Sequence, residues 1–415
     1  MQLTKNRWQI IVSAILIQLC LGAIYAWGVF LNPIMSDFGW SKTEVSVAFT
    51  IFLVSYAGAT LVGGRWQDEV GPRRVATVGG ILLGLGYYLA SFTQSLPWLY
   101  ITYGFIGGTG VGLGYVCPIA TCVKWFPDKR GMATGLSVAG FGAGALIFAP
   151  VATRIIETFH WRTAFSSLGI LFVVVVVLAA QILRNPPEGW QPFSLKEKAK
   201  NKTKSNLGLE VNWLGMLQTT QFKMLWLMFA FGATAGLMVI GHLASYGVEV
   251  GLTEGAAALI VGTLAFFNGS GRVAWGAISD RIGRPHALML IMFILGATML
   301  LFTRFSDFNT LLIVAGTMGL AFGGILAIFP SITADYFGSK NVGANYGVMF
   351  SAYGAAGVLG PMLGATVYDL TGTYNYAAVV AAILCFIAGA LAIFLKPPTK
   401  KEEKSIGAMG KYSLE

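Results

Sequence analysis

Apolar runs of roughly twenty residues or more, separated by short polar or glycine-bearing loops, occupy nearly the whole of this chain. An α-helix rises 1.5 Å per residue, so about 20 such residues cross the ~30 Å hydrocarbon core of a bilayer. The runs lie at residues 8–30, 44–64, 75–93, 98–123, 132–153 and 163–183, then at 224–248, 256–279, 287–303, 309–333, 343–367 and 375–395. Composition agrees. Of 415 residues 55% are hydrophobic and 11% charged, against about 25% charged in soluble domains. That balance excludes an ordinary water-soluble enzyme. The expected fold is an all-α membrane protein of twelve transmembrane helices. The first run follows Lys5 and Arg7, lacks a small-residue cleavage site and is too long for a secretory signal, so it reads as a membrane helix.

The net charge is +10, yet the basic residues sit at the edges of apolar runs and form no stripe with interleaved aromatics, which argues against nucleic acid. They report topology instead, because cytoplasmic loops carry the excess of Lys and Arg. With the N-terminus inside, one side takes Arg65, Arg73, Arg74, Lys124, Lys129, Arg130, Arg281, Arg284 and Lys340, while the other keeps Lys42, Arg154, Arg162 and Arg304. Both termini are therefore expected in the cytoplasm. The long polar stretch 184–223, with alternating Lys196, Lys198, Lys200, Lys202 and Lys204, reads as a cytoplasmic linker, or less simply as a patch for anionic lipid. Residues 397–415 form a cytoplasmic tail. Cys20, Cys117, Cys122 and Cys385 fall within apolar runs without metal-ligand or disulfide spacing, and read as packing residues.

An internal repeat organises the runs. Gly64-Arg-Trp-Gln-Asp68-Glu-Val-Gly71-Pro-Arg73-Arg74 returns as Gly276-Ala-Ile-Ser-Asp280-Arg-Ile-Gly283-Arg284, each copy closing the second span of its half. Glycine permits the tight turn, and an aspartate there is placed to be held by arginines and a helix terminus. Trp125-Phe126 answers to Tyr336-Phe337, Pro118 to Pro330 and Pro150 to Pro361. The halves are therefore two pseudo-symmetric six-helix bundles, 1–183 and 224–396, joined by the linker. Repeated halves with prolines in matching spans point to a secondary transporter with its site near the midplane. Over essentially its whole length the chain resembles the major facilitator superfamily.

Within that superfamily, Trp125-Phe-Pro-Asp-Lys-Arg-Gly-Met-Ala-Thr-Gly135 followed by Ala139-Gly140 resembles the fifth-span signature of the monocarboxylate transporters and their bacterial oxalate/formate antiporter relatives. Asn268-Gly-Ser-Gly-Arg272 and Asn345-Tyr346-Gly347 agree with the same branch.

Arg272 lies eight residues before Asp280, about 12 Å into the membrane at 1.5 Å per residue. A charged arginine at that depth costs on the order of 3 kcal/mol or more, and such residues mark a substrate or ion path. Its planar fork suits a carboxylate, gripped through two parallel hydrogen bonds, and in the resembled family the matching arginine binds substrate carboxylate. Asn268, one helical turn earlier, is placed either to meet a substrate hydroxyl or keto oxygen or to hydrogen-bond between helices. Animal members of the family have an aspartate at the position of Asn268 and a lysine at that of Val29, so a titratable group is missing here. His242 is the proton-coupling candidate, with a packed, hydrogen-bonded histidine as the plainer reading. The oxalate antiporter branch has a lysine at the position of Tyr353. One cation matches one carboxylate, which favours lactate or pyruvate over oxalate. The resemblance also brings Tyr25, Tyr115, Phe350 and Tyr353 to the cavity.

The glycines Gly104, Gly108 and Gly112 read as close helix packing, since no strand precedes them to make a dinucleotide loop. His160, His242 and His286 are far apart, and no clustered nucleophile, carboxylate pair or metal-ligand set suggests an enzyme or a cofactor. The resemblance to the monocarboxylate branch therefore implies a proton-coupled symporter of small monocarboxylates, working by alternating access and as a monomer. An organic anion exchanger of the oxalate/formate type and a carboxylate sensor are the alternatives.

Overall fold

The computed structural model describes residues 7–187, 190–192 and 210–398. The lysine run 196–204 and the end of the tail lie outside the described residues. The rest is helical. In chain order α1 is Arg7–Leu21, α2 Gly28–Phe38, α3 Lys42–Val70, α4 Pro72–Ala90, α5 Leu96–Trp125, α6 Arg130–Thr158 and α7 Trp161–Ala180. The short α8, Trp213–Leu217, precedes α9 Thr220–Glu249, α10 Glu254–Ile282, α11 Arg284–Phe302, α12 Phe308–Phe337, α13 Val342–Thr371 and α14 Asn375–Phe394. Among the described residues, eleven helices are long and apolar enough to cross a membrane. The remaining expected span is α4, whose apolar character is diluted by Arg73, Arg74 and four glycines. It nevertheless packs along α5 and α7 as a full-length helix.

Helix ends follow local chemistry. The side chain of Ser41 accepts from Glu44 N while Glu44 accepts from Ser41 N, a reciprocal cap on α3. Thr219, Thr253 and Asp307 cap α9, α10 and α12. The N–H of Thr310 donates to Asp307 Oδ1 at 2.9 Å and holds that carboxyl below the usual carboxylate range. Gly71 and Gly283 end α3 and α10 at φ 90° and 89°, a conformation that a side chain would strain. The repeated glycine of the loop motif is thus a requirement of the turn.

The first span departs from a simple helix over 8–30. It tightens to a 3₁₀ turn at Gly22–Ala26 and resumes as α2, which continues through Pro33 to Phe38. The cause is close backbone contact with α6: a Cβ on Gly22 would overlap Phe141 O, and one on Gly144 would overlap Gly22. Gly39, at φ 68°, ends α2.

The chain forms two compact units. One takes the chain up to Asp128, continues from Leu136 through α7 and adds Ser339–Phe350. The other takes Lys129–Gly135, the chain from α8 to Gly338 and everything from Ser351. These units differ from the two sequence halves in two short segments, the openings of α6 and α13. Each opening is anchored by an aspartate of the repeated loop motif. The cysteines are all free and buried, as packing residues would be.

Candidate functional site

Arg272 and Asn268 lie on one face of α10 in the second unit, 3% and 6% exposed. Arg272 Nε donates to Asn268 Oδ1 at 3.0 Å. This bond engages one of the five guanidinium N–H donors and sets the plane of the group. With its oxygen turned to the arginine, the amide of Asn268 has its two N–H donors for other partners. The backbone beneath is held tightly. A Cβ on Gly323 of α12 would overlap Asn268 O, one on Gly319 would overlap Leu264 O, and one on Gly271 would overlap Leu320 O. Gly135, at the opening of α6, is likewise pressed against Arg272 O. Glycine therefore lets backbones approach along the stretch that carries the buried cation.

Tyr353 belongs to the same unit and stands 6.1 Å, ring to ring, from Phe229, which stacks on Phe329 at 4.2 Å. Beside it in sequence, Ser351 Oγ accepts from Trp226 Nε1 at 2.9 Å. The first unit brings three other expected residues into one aromatic cluster. Tyr115 lies 4.9 Å from Phe350 and 5.2 Å from Phe141, and Phe141 lies 5.5 Å from Tyr25. Tyr56, which sequence reasoning missed, touches Tyr115, Phe141 and Phe350. Tyr25 lies in the 3₁₀ turn of the first span and is exposed, whereas Tyr115 and Phe350 are buried.

His242 has different neighbours. Its Nε2 is 3.0 Å from Pro361 O, and its ring is 5.2 Å from that of Tyr374. Burial pushes the hydroxyl of Tyr374 above its ordinary pKa. In the tautomer with hydrogen on Nε2, that nitrogen donates to Pro361 O.

The two loop motifs act as helix clamps. In the first unit Asp68 Oδ2 accepts from Ala344 N at 2.7 Å at the start of α13, and Asp68 Oδ1 accepts from Lys124 Nζ at 3.0 Å and Gln67 Nε2 at 2.6 Å. In the second, Asp280 accepts from Gly131 N and Met132 N, both at 2.9 Å, at the start of α6. Each carboxylate thus meets the positive end of a helix dipole. Gly64 against Gly343, and Gly276 against Gly131, bring the backbones close enough. The expectation that arginines hold both aspartates needs correction. Arg284 does bind Asp280 and Asp335, but Arg73 donates to Gln181 O, and Lys124 takes the corresponding place beside Asp68.

The sequence profile described as Major Facilitator Superfamily matches residues 11–285 and 224–412. The chain belongs to this superfamily. It is 33% identical to the oxalate:formate antiporter of Oxalobacter formigenes over 418 residues, covering 97% of each chain. It is 29% identical to monocarboxylate transporter 2 of Homo sapiens over 408 residues, covering 91% of this chain and 84% of the other. The solved structure of the transporter FucP in its outward conformation superimposes with a TM-score of 0.72 at 17% identity, over 94% of this chain and 99% of that one. The protein is accordingly a multi-pass membrane transporter and not an enzyme.

For a major facilitator chain the doubled loop motif was legible, and its partners were not. Arg130 and Arg284 both bind Asp335, and Thr134 Oγ1 donates to Ala327 O at 2.8 Å and lies 2.8 Å from Ser331 Oγ. One signal was available. Lys124 and Asp335 precede the matched pairs Trp125-Phe126 and Tyr336-Phe337, so the repeat places opposite charges at one position. Each completes its own clamp.

Proposed function

We propose that this transporter carries small monocarboxylates such as lactate and pyruvate across the bacterial inner membrane, in symport with protons, by alternating access and as a monomer. The observation that carries the reading is Arg272, a buried guanidinium whose plane is set by Asn268. A planar fork in a low-dielectric setting selects a carboxylate over a neutral solute. Tyr353 stands where the oxalate antiporter branch has a lysine, so this chain lacks that second cation, and a monoanion balances Arg272. Tyr25, Tyr115, Phe350 and Tyr353 are the further substrate-binding residues of this reading, the tyrosines through their hydroxyls. His242 is the proton carrier in this reading. Both termini face the cytoplasm, as the basic asymmetry of the loops implies.

A second reading, exchange of organic anions, is favoured by the 33% identity to an oxalate:formate antiporter across nearly the whole of both chains. Uptake into proteoliposomes decides between them. Lactate, pyruvate, formate and oxalate are offered with and without an imposed pH gradient, and with and without internal anion. Gradient-driven lactate accumulation into anion-free vesicles supports symport. Uptake that requires internal anion and prefers oxalate refutes it.

A further inference from the structure

At the end of the first unit that carries Arg73, a cavity of about 200 Å³ opens between the start of α1, the start of α4 and the chain leaving α7. Gln9, Ile10, Arg73, Gln181, Ile182 and Arg184 line it. Two guanidiniums and two amides meet there without a carboxylate. Arg73 Nη2 donates to Gln181 O at 2.6 Å, and Gln181 Nε2 donates to Val177 O and Thr77 Oγ1. The arginine is thereby held in place through one of its five donors. Among the described residues, Glu69 is engaged by Arg65 and Asp128 by Arg7. The complement of such a donor set is an oxyanion with several acceptor oxygens, and a phosphate ester fits best.

A second observation says what is attached to that phosphate. Arg73, Thr77, Ile81, Leu85 and Tyr88 recur at helical spacing along one face of α4, and Ile170 and Val174 do so along α7, with Gln181 just past its end. On these same faces, beyond the polar pocket, lies an apolar groove of about 370 Å³ lined by Gly84, Leu85, Tyr88, Gly169, Ile170, Val173 and Val174. Gly84 and Gly169 leave its floor without side chains, while Leu85, Ile170 and Val174 are exposed in it. Leu85 lies twelve residues beyond Arg73, about 18 Å along the helix, which spans one leaflet of a ~30 Å core. A polar pocket and, about 16 Å farther along the same pair of helices, a separate apolar groove are spaced as the headgroup and acyl chain of a phospholipid are.

We propose that the seam between α4 and α7 binds an anionic phospholipid, its phosphate between Arg73 and Arg184 and one acyl chain in the groove. Free phosphate shares the headgroup chemistry but leaves the groove empty. The site is independent of the carried substrate; its assignment to the inner leaflet rests on the orientation proposed above.

Native mass spectrometry of the purified full chain in detergent tests this, with phosphatidylglycerol and phosphatidylcholine of equal chain length as probes. Phosphatidylglycerol should be retained at least about 5-fold better, and Arg73→Gln and Arg184→Gln should each cost about 5-fold, the effect of one basic residue at an anionic leaflet. Val174→Trp, which fills the groove and changes no charge, should also release the lipid. Arg65→Gln removes a comparable exposed charge that is paired with Glu69 and should leave retention unchanged. Equal retention of the two lipids overturns the proposal, as does an equal loss in Arg65→Gln. Inorganic phosphate displacing the lipid at matched concentration overturns the lipid assignment. Should Arg73→Gln fail to fold, Arg184→Gln and Val174→Trp carry the same test.

Discussion

At the scale of single residues, Arg272 concentrates the chemistry. If it grips a carboxylate through two charge-assisted hydrogen bonds, each worth about 1.5–3 kcal/mol, Arg272→Ala should weaken substrate binding by at least about 100-fold. Arg272→Lys should recover little, because an ammonium lacks the fork. Binding to purified, monodisperse variants measured by calorimetry checks this, and wild-type affinity in the alanine variant would refute the assignment. Tyr353 sets the charge number. Tyr353→Lys should gain measurable oxalate binding and lose lactate transport, since a monoanion would leave an ammonium uncompensated at a cost of several kcal/mol. An unchanged ratio of oxalate to lactate affinity in a folded variant counts against it. His242→Gln keeps a donor toward Pro361 O and removes the protonatable ring. It should preserve anion exchange while abolishing accumulation driven by a pH gradient; intact gradient-driven accumulation would return His242 to packing. Arg272, Asn268 and His242 were legible as candidates because an ionisable or amide group inside an apolar run is conspicuous. The Nε bond that orients the arginine was not, since rotamers within a helical turn are set by neighbouring spans.

Among elements, the pairing of α10 with α12 holds the buried cation in place. Gly323→Ala would drive a methyl into Asn268 O, a backbone atom that cannot rotate away. The helices must then separate at a cost of about 1–3 kcal/mol, with displacement of Arg272. Thermal melting in detergent should fall by several degrees and uptake with it. Gly262→Ala, on α10 where a Cβ meets nothing within 4 Å, should melt at or above the wild-type temperature, as alanine favours helix. A Gly323→Ala melt equal to that of Gly262→Ala would show that the close approach is unimportant. The spacing of Gly319 and Gly323 was visible in the chain, but a small-residue pair does not announce its partner helix.

For the whole molecule, the basic asymmetry predicts sidedness. In sealed right-side-out vesicles, added protease should leave the segment 184–223 intact, and permeabilised vesicles should show its cleavage. Cutting in sealed vesicles would reverse the orientation and with it the leaflet of the lipid seam. Span number, the repeat and the loop turns were determined by the sequence alone, because each follows from local quantities: apolar length against bilayer thickness, and glycine where φ is positive. Tertiary structure alone decided which groups complete each clamp. Asp68 takes Lys124 rather than an arginine of its own loop, Asp280 takes Arg284, and Arg73 turns to Gln181 O. The sequence offers every basic residue near each aspartate at similar cost. Only the packed helices determine which cation reaches which carboxylate once both have left water.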